Sequence, residues 1–283
     1  MVGFACIRGP TDRGVPMQSP RGWLEAKRID DKTDGLWRVD NALYDLNHFN
    51  HPGGAFFINM GKGTDITELF ESNHPNIEKA RAYLAKYFVK NIDPIILPRN
   101  SNALTFHKNG FYDTLRRRAW DILKEHGTGP TFEILFFHDS LLIIFLLCSI
   151  YMVIPSYEDY WIPIGIFGAF ILASMGTVAH NFYHQKDSWR MYTWDLTPYS
   201  SEEWRISHGY SHHVFPNAVN DFELSAFQPY IHWLPEKKSW LYVVTEPLTA
   251  QVLFCFAMLM QVSIYIYVLV LFRCVFKLSG STY

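Results

Sequence analysis

The chain has 283 residues, enough for one to three domains, and its net charge of −2 gives no polyelectrolyte character. A nucleic acid is therefore not expected as a partner. Hydrophobic residues make up 49% of the chain, and no Lys or Arg lies between Lys124 and Lys186. This segregation of apolar from basic residues is typical of membrane spans rather than of one large soluble core.

Residues 1–33 are predicted to form an extended, weakly ordered lead-in, because they are rich in Gly, Pro, Arg and Asp. This segment has no apolar stretch of the kind found in signal peptides, so the domain that follows is expected to stay in the cytosol. The spacing of the four cysteines fits neither a disulfide framework nor a metal site, and reduced thiols agree with a cytosolic environment.

Residues 34–98 show the mixed pattern of a small α+β domain. We predict short strands at 36–39 and 42–46 and short helices at 66–71 and 77–87. Pro94 and Pro98 then mark the end of the domain.

Two histidines in this domain are candidate haem ligands. His51 opens the sequence HPGG at residues 51–54, and His74 closes the sequence GTDITELFESNH at residues 63–74. Two neutral imidazoles can bind opposite faces of one haem iron, which then has no open position and passes electrons instead of activating oxygen. The Pro-Gly-Gly turn lets the backbone approach a porphyrin edge. An apolar haem wall is predicted from Phe49, Phe57, Ile58 and Phe70.

This pattern resembles the cytochrome b5 family. The resemblance implies an α+β cytochrome b5-like fold with haem b as its cofactor and His51 and His74 as the axial ligands. It also implies cytochrome b5 reductase as the electron donor. Ala55 departs from the family, which often has an acidic residue there, but this change concerns the surface more than the ligation.

Residues 99–131 are interpreted as an amphipathic linker. Phe111, Leu115 and Ile122 fall near helical spacing, and the basic run Arg116–Arg118 lies largely off that face. Such a helix can lie on a membrane surface, and an ordinary solvated helix is an equally good interpretation of the pattern.

Three membrane spans are predicted near 134–154, 161–179 and 247–272, because a helix needs about 20 apolar residues to cross the hydrocarbon layer. Basic residues precede the first span and follow the second, whereas the loop 155–160 carries only acidic charges. The positive-inside rule therefore places the first domain and the segment after the second span in the cytosol. The same rule explains Lys186, Arg190 and Arg205, for which binding of a lipid phosphate or coenzyme A is the alternative.

Five of the twelve histidines lie in two short segments, HNFYH at 180–184 and HGYSHH at 208–213. Residues i and i+4 share one face of an α-helix, so His180 and His184 are expected at one site, and likewise His208 and His212. His213 is expected about 100° further around the helix. Imidazole suits iron, copper or zinc, so these five histidines are candidate ligands for two adjacent metal ions.

The two boxes, with Trp204 shortly before the second, resemble those of membrane fatty-acid desaturases and related hydroxylases over residues 132–272. Together with the haem domain, they resemble the cytochrome b5-fused desaturases, in particular the insect cytochrome b5-related proteins. The resemblance implies an all-α membrane domain at 132–283 in the endoplasmic reticulum. It also implies a non-haem di-iron centre held by the boxes and an acyl-lipid or acyl-CoA substrate.

Departures from that family leave the function open. The family uses a third box ending in a His pair, whereas here no histidine follows His232, which matches no box and is interpreted as an interfacial structural residue. Asn181 replaces a common acidic residue. We therefore expect a C-terminally truncated, desaturase-like protein of lipid metabolism whose di-iron site is incomplete in this chain. A membrane-tethered haem electron carrier without catalysis and a lipid hydroxylase are the alternatives.

Overall fold

The computed structural model describes residues 19–99, 104–152, 160–197, 199–218, 220–226, 230–231, 233, 237–253 and 256. Residues 19–99 form an α+β domain with a small sheet, and the described remainder is helical. This arrangement confirms the predicted fold class.

The first domain begins earlier than predicted, with helix α1 at Pro20–Asp31. The Ser19 side chain caps this helix by accepting a hydrogen bond from the Gly22 N–H at 3.0 Å. Trp23 and Leu24 are buried in the hydrophobic core of the domain. The prediction of an extended lead-in is therefore wrong for residues 20–31, because the high charge of the segment conceals one apolar helix face.

The contribution of α1 to stability can be tested at Trp23, whose indole N–H donates to the Asn220 carbonyl at 3.1 Å. Trp23→Ala is expected to lower the free energy of unfolding by about 3–5 kcal/mol, because it empties a fully buried site. Ile29→Ala, on the exposed side of the same helix, is the control and should change it by less than about 0.5 kcal/mol. Denaturant titration followed by haem absorbance measures both, and equal effects would contradict the burial of α1.

The sheet consists of β1 at Trp37–Val39, β2 at Ala42–Tyr44 and β3 at Phe88–Asn91, in the antiparallel order β1-β2-β3. The first two strands were predicted, with slightly longer bounds. The third was not predicted, because its four residues are all exposed and carry no alternating apolar pattern. It pairs with β2 through Leu43, which lies opposite Lys90.

Three helices complete the domain and carry the predicted haem ligands. They are α2 at Phe56–Gly61, α3 at Thr67–Asn73 and α4 at Ile77–Leu84, with a 3₁₀ turn at Ala85–Tyr87. The predicted helices at 66–71 and 77–87 are confirmed in position. His51 lies in the turn before α2, and His74 is the C-cap of α3.

Helix α5, Phe111–His126, is attached to the haem domain by an ion pair and by a hydrogen bond from the Tyr112 hydroxyl to the Glu71 carbonyl. The Arg116 guanidinium lies 2.6 Å from the carboxylate of Glu71, and both side chains are buried. Away from this ion pair, α5 exposes Phe111, Leu115 and Ile122. The predicted amphipathic helix is therefore present, and its contact with a membrane surface stays a prediction.

Helices α6, Phe132–Met152, and α7, Trp161–Phe182, pack against each other and match the first two predicted spans. Both are long and apolar enough to cross a membrane. Large apolar side chains such as Ile143, Leu147 and Phe170 are exposed on their outer surfaces. Of the third predicted span, only residues 247–253 and 256 are described, and these are helical; the remainder lies outside the described residues.

Among its described residues, the segment 183–226 after α7 contains four short helices: a 3₁₀ helix at Trp189–Leu196, α8 at Ser201–Trp204, a π-helix at Arg205–His212, and α9 at Phe222–Ser225. Ile206, Tyr210 and Phe215 from this segment share one hydrophobic core with the haem domain. The Tyr210 hydroxyl lies 2.5 Å from that of Thr64. The haem domain is therefore packed directly on the segment that carries the second histidine box.

Candidate haem and metal sites

The two predicted haem ligands face each other, with ring centroids 5.8 Å apart and ring planes at 82°. The Nδ1 of His74 lies 2.8 Å from the Phe70 carbonyl oxygen, so that Nδ1–H donates there and Nε2 keeps a free lone pair. The Nδ1 of His51 lies 3.1 Å from the Gly53 backbone nitrogen, so the turn anchors the ring on its Nδ1 side and iron would bind at Nε2. Two imidazoles held in this way are the donor set of a bis-histidine haem, and they fit the implied cofactor.

Burial keeps both imidazoles in the form that binds iron. Desolvation lowers the pKa of His51, and the neighbouring His74 lowers it further. Desolvation is also the main cause that lowers the pKa of His74. Both rings are therefore neutral at pH 7, as ligation requires.

Of the four predicted wall residues, two contact the ligand rings. Phe49 lies edge-on to His51, with ring centroids 5.7 Å apart, and Phe70 lies 4.8 Å from the centroid of His74. Phe57 and Ile58 are half-buried and pack against the hydrophobic core on the side of α2. Their contact with haem stays a prediction.

Four of the five box histidines converge in one group. His180 stands near the end of α7, His184 follows that helix, and His208 lies in the π-helix. The Nε2 of His208 is 2.7 Å from that of His180 and 2.9 Å from that of His213, and the Nε2 atoms of His180 and His184 are 3.2 Å apart. One ligand atom from each of the four histidines lies within 4.8 Å of the others.

The fifth box histidine, His212, is not a member of this group. The π-helix bonds the His213 N–H to the His208 carbonyl at 2.9 Å, which aligns residues i and i+5. His213 therefore shares the face of His208, while the Nδ1 of His212 lies 2.8 Å from the Asp221 carboxylate. The expectation that His213 lies apart from His208 is wrong because it assumed an α-helix, whereas the rings of His208 and His212 do lie side by side, with centroids 5.6 Å apart and planes at 23°.

Sequence reasoning missed a carboxylate that orients the group. A Glu223 oxygen lies 2.8 Å from the Nδ1 of His208, so the Nδ1–H donates to it and the Nε2 is directed to the site. The signal was present as two acidic residues, Asp221 and Glu223, closely following the second box. Trp204, part of the resemblance, stacks on the His208 ring at 4.9 Å and 24°.

Burial holds the histidines of the group in the neutral form that binds a metal ion. Desolvation lowers the pKa of His184 to about 4, with the neighbouring histidines adding to the shift. Desolvation likewise lowers the pKa of His213. Clustered neutral imidazoles fit iron, zinc or copper, so these four residues would hold one metal ion.

Other candidates from the sequence have structural partners. Arg190 makes two hydrogen bonds of 2.8 and 2.6 Å to Asp139, and Arg205 lies 2.6 Å from Asp187. Lys186, the third basic residue considered for phosphate binding, is exposed. His232 lies outside the described residues.

The structure therefore shows a domain with a candidate bis-histidine haem site, packed on a helical segment that carries a candidate metal site. Residues 23–93 match the family described as cytochrome b5-like heme/steroid binding domain. The chain is 36% identical over 252 residues to a cytochrome b5-related protein of Drosophila melanogaster, covering 84% of this chain and 54% of the relative. It is 39% identical over 123 residues to a cytochrome b5-related protein of Drosophila virilis, covering 43% of this chain and 82% of the relative.

The chain belongs to the family of cytochrome b5-related proteins. It is more distantly similar to Delta(5) fatty acid desaturase A of Dictyostelium discoideum, at 25% identity over 213 residues, which cover 70% of this chain and 45% of the desaturase. The chain spans about half the length of the Drosophila melanogaster relative. No solved structure matches it. These findings establish a cytochrome b5-type haem-binding domain, and with the two apolar helices they indicate association with a membrane.

Proposed function

We propose that this chain is a membrane-bound, cytochrome b5-fused desaturase-like redox protein of lipid metabolism. The observation that carries the proposal is the packing of the haem domain on the segment that holds the four-histidine group. Haem at His51 and His74 supplies one-electron transfer, and non-haem iron at the group would supply oxygen-dependent oxidation of an acyl chain. Cytochrome b5 reductase is the proposed electron donor, and an acyl-lipid or acyl-CoA is the proposed substrate.

The residues of the chain have defined tasks in this proposal. Glu223 fixes the ring of His208, and Trp204 covers one face of that ring. His138 is fully buried in α6, and its Nε2 lies 2.9 Å from the Thr193 hydroxyl, which ties the helical hairpin to the segment between the boxes. The four-histidine group is sufficient for one ion, and the two-ion centre of the desaturase family requires further ligands.

The proposed location is the endoplasmic reticulum, with the haem domain and the histidine boxes facing the cytosol. Basic residues on both flanks of the α6–α7 hairpin support this orientation. Helix α5 supports it as well, because its exposed Phe111, Leu115 and Ile122 lie beside Arg117 and Arg118 and precede the first span. Such a helix would rest on the cytosolic membrane surface.

The test uses the full chain, loaded with haem in lipid nanodiscs and equilibrated with ferrous iron. We expect one haem and at least one non-haem iron per chain, and reduction of the haem by NADH and cytochrome b5 reductase. Acyl-chain analysis of expressing cells then identifies the reaction, since a new double bond indicates a desaturase and a new hydroxyl group a hydroxylase. Haem alone, with an unchanged acyl profile, would overturn the proposal in favour of an electron carrier.

A further inference from the structure

The turn that carries His51 is bonded directly to the chain that follows the first histidine box. The Asp187 N–H donates to the Gly53 carbonyl at 2.8 Å, and the Asp187 carboxylate accepts from the Phe56 N–H at 3.4 Å. At Gly54, where φ is +112°, a Cβ atom would overlap the Asp187 carboxylate. The glycine therefore serves both the turn and the close approach of Asp187.

Arg205 closes this contact from the π-helix. Its side chain is 1% exposed, and its Nη2 lies 2.6 Å from the carboxylate of Asp187, which is 26% exposed. Its guanidinium carbon lies 3.8 Å from the ring centroid of Phe56 and 4.6 Å from that of Phe57. Its Nε and Nη1 have no hydrogen-bond partner among the described residues. The buried guanidinium is compensated by one carboxylate and two aromatic faces. Separation of Arg205 from Asp187 is therefore strongly unfavourable, because it would leave a buried charge unpaired.

We propose that Asp187 and Arg205 form a docking pair that holds the haem-ligand turn 51–54 in one fixed position on the histidine-box segment. The haem domain then works as a permanently docked donor and not as a swinging arm. A short continuous path joins the two sites: two residues from His51 to Gly53, one hydrogen bond, and three residues from Asp187 to His184. This role rests on the proposed electron delivery, whereas the docking itself requires no metal.

Docking of the turn is separate from attachment of the domain. The domain is attached through the hydrophobic core around Trp23 and Tyr210, whose rings make an edge-to-face contact at 5.7 Å. Arg205 contacts the domain at Phe56 and Phe57, next to the ligand turn. Loss of the docking pair should therefore release the turn and leave the domain folded and attached.

The experiment compares Arg205→Gln and Asp187→Asn with Arg21→Gln in the haem-loaded full chain in nanodiscs. Arg21 pairs with Glu202 at 2.8 Å and also joins the haem domain to the box segment, but these side chains are 64% and 52% exposed. The amide hydrogen-exchange rates of residues 51–56 and 185–190 measure how firmly the turn is docked. The midpoint potential of the haem is sensitive to water that enters at the ligand turn.

In both docking variants, exchange of the two segments should accelerate by at least about tenfold, because a buried ion pair is broken. The low-spin spectrum should persist, and the midpoint potential should fall, because water stabilises the more highly charged oxidised haem. Arg21→Gln should change neither quantity, since exposed pairs contribute little. Arg205→Lys should restore docking only in part, because an ammonium group lacks the planar face that stacks on Phe56.

Wild-type exchange and potential in both docking variants would overturn the inference. Loss of the haem spectrum in both would also overturn it, because the pair would then maintain the fold instead of positioning the turn. Failure of the proposed function has a different signature: intact docking in the wild-type chain, together with an absence of non-haem iron or of acyl oxidation.

Discussion

Replacing His51 or His74 with alanine is expected to abolish the low-spin bis-imidazole spectrum of the haem-loaded chain. In the predicted ligation each side chain supplies one of two axial positions, and the half-buried rings face each other at 5.8 Å. The loss of either ring leaves an open position on the iron, which changes its spin state and weakens the retention of haem. Visible absorption and electron paramagnetic resonance of the purified full chain measure the change.

His48→Ala is the matched control for this prediction. His48 lies three residues before His51, is exposed, and belongs to the same loop, so its removal should leave the spectrum unchanged. A low-spin spectrum that survives in His74→Ala would show that another side chain binds the iron, and the ligand assignment would then be wrong.

The facing pair of His51 and His74 could be predicted because its sequence signal is local. The sequence HPGG forces a turn beside His51, and the apolar runs at 132–152 and 161–182 are long enough to define two helices without knowledge of their partners. The burial of α1 was not predictable in this way. Its Trp23 donates to the carbonyl of Asn220, 197 residues further along the chain, and no local pattern encodes such a contact.

The same limit explains the errors at the histidine boxes. The π-helix aligns residues i and i+5 instead of i and i+4, so a pattern argument with an α-helical period misplaces His213. The carboxylates that orient the rings come from residues 9 and 15 positions later, at Asp221 for His212 and at Glu223 for His208. Their partners depend on how the loop between the π-helix and α9 folds back, which the sequence does not state.

Replacing His208 with alanine is expected to abolish binding of non-haem metal, and His212→Ala, in the same box, is the matched control. The Nε2 of His208 contacts those of both His180 and His213, at 2.7 and 2.9 Å, so His208→Ala removes the centre of the group. We expect the affinity for ferrous iron to fall by more than about a hundredfold and the bound non-haem iron to approach zero. His212→Ala should leave most of the bound iron, because His212 is not one of the four histidines whose ligand atoms converge, although its ring lies beside that of His208.

Glu223→Gln tests the carboxylate that sets the ring of His208. Glutamine keeps the shape and loses the charge, so affinity should fall by about 10- to 100-fold, less than with His208→Ala. Iron and redox-inactive zinc, each measured after equilibration with the full chain, separate binding from oxidation chemistry, and an unchanged haem spectrum verifies the fold. If His212→Ala removed as much metal as His208→Ala, the π-helical arrangement would not describe the binding state. The α-helical pairing of His208 with His212 would then be the better account of how this box holds its metal.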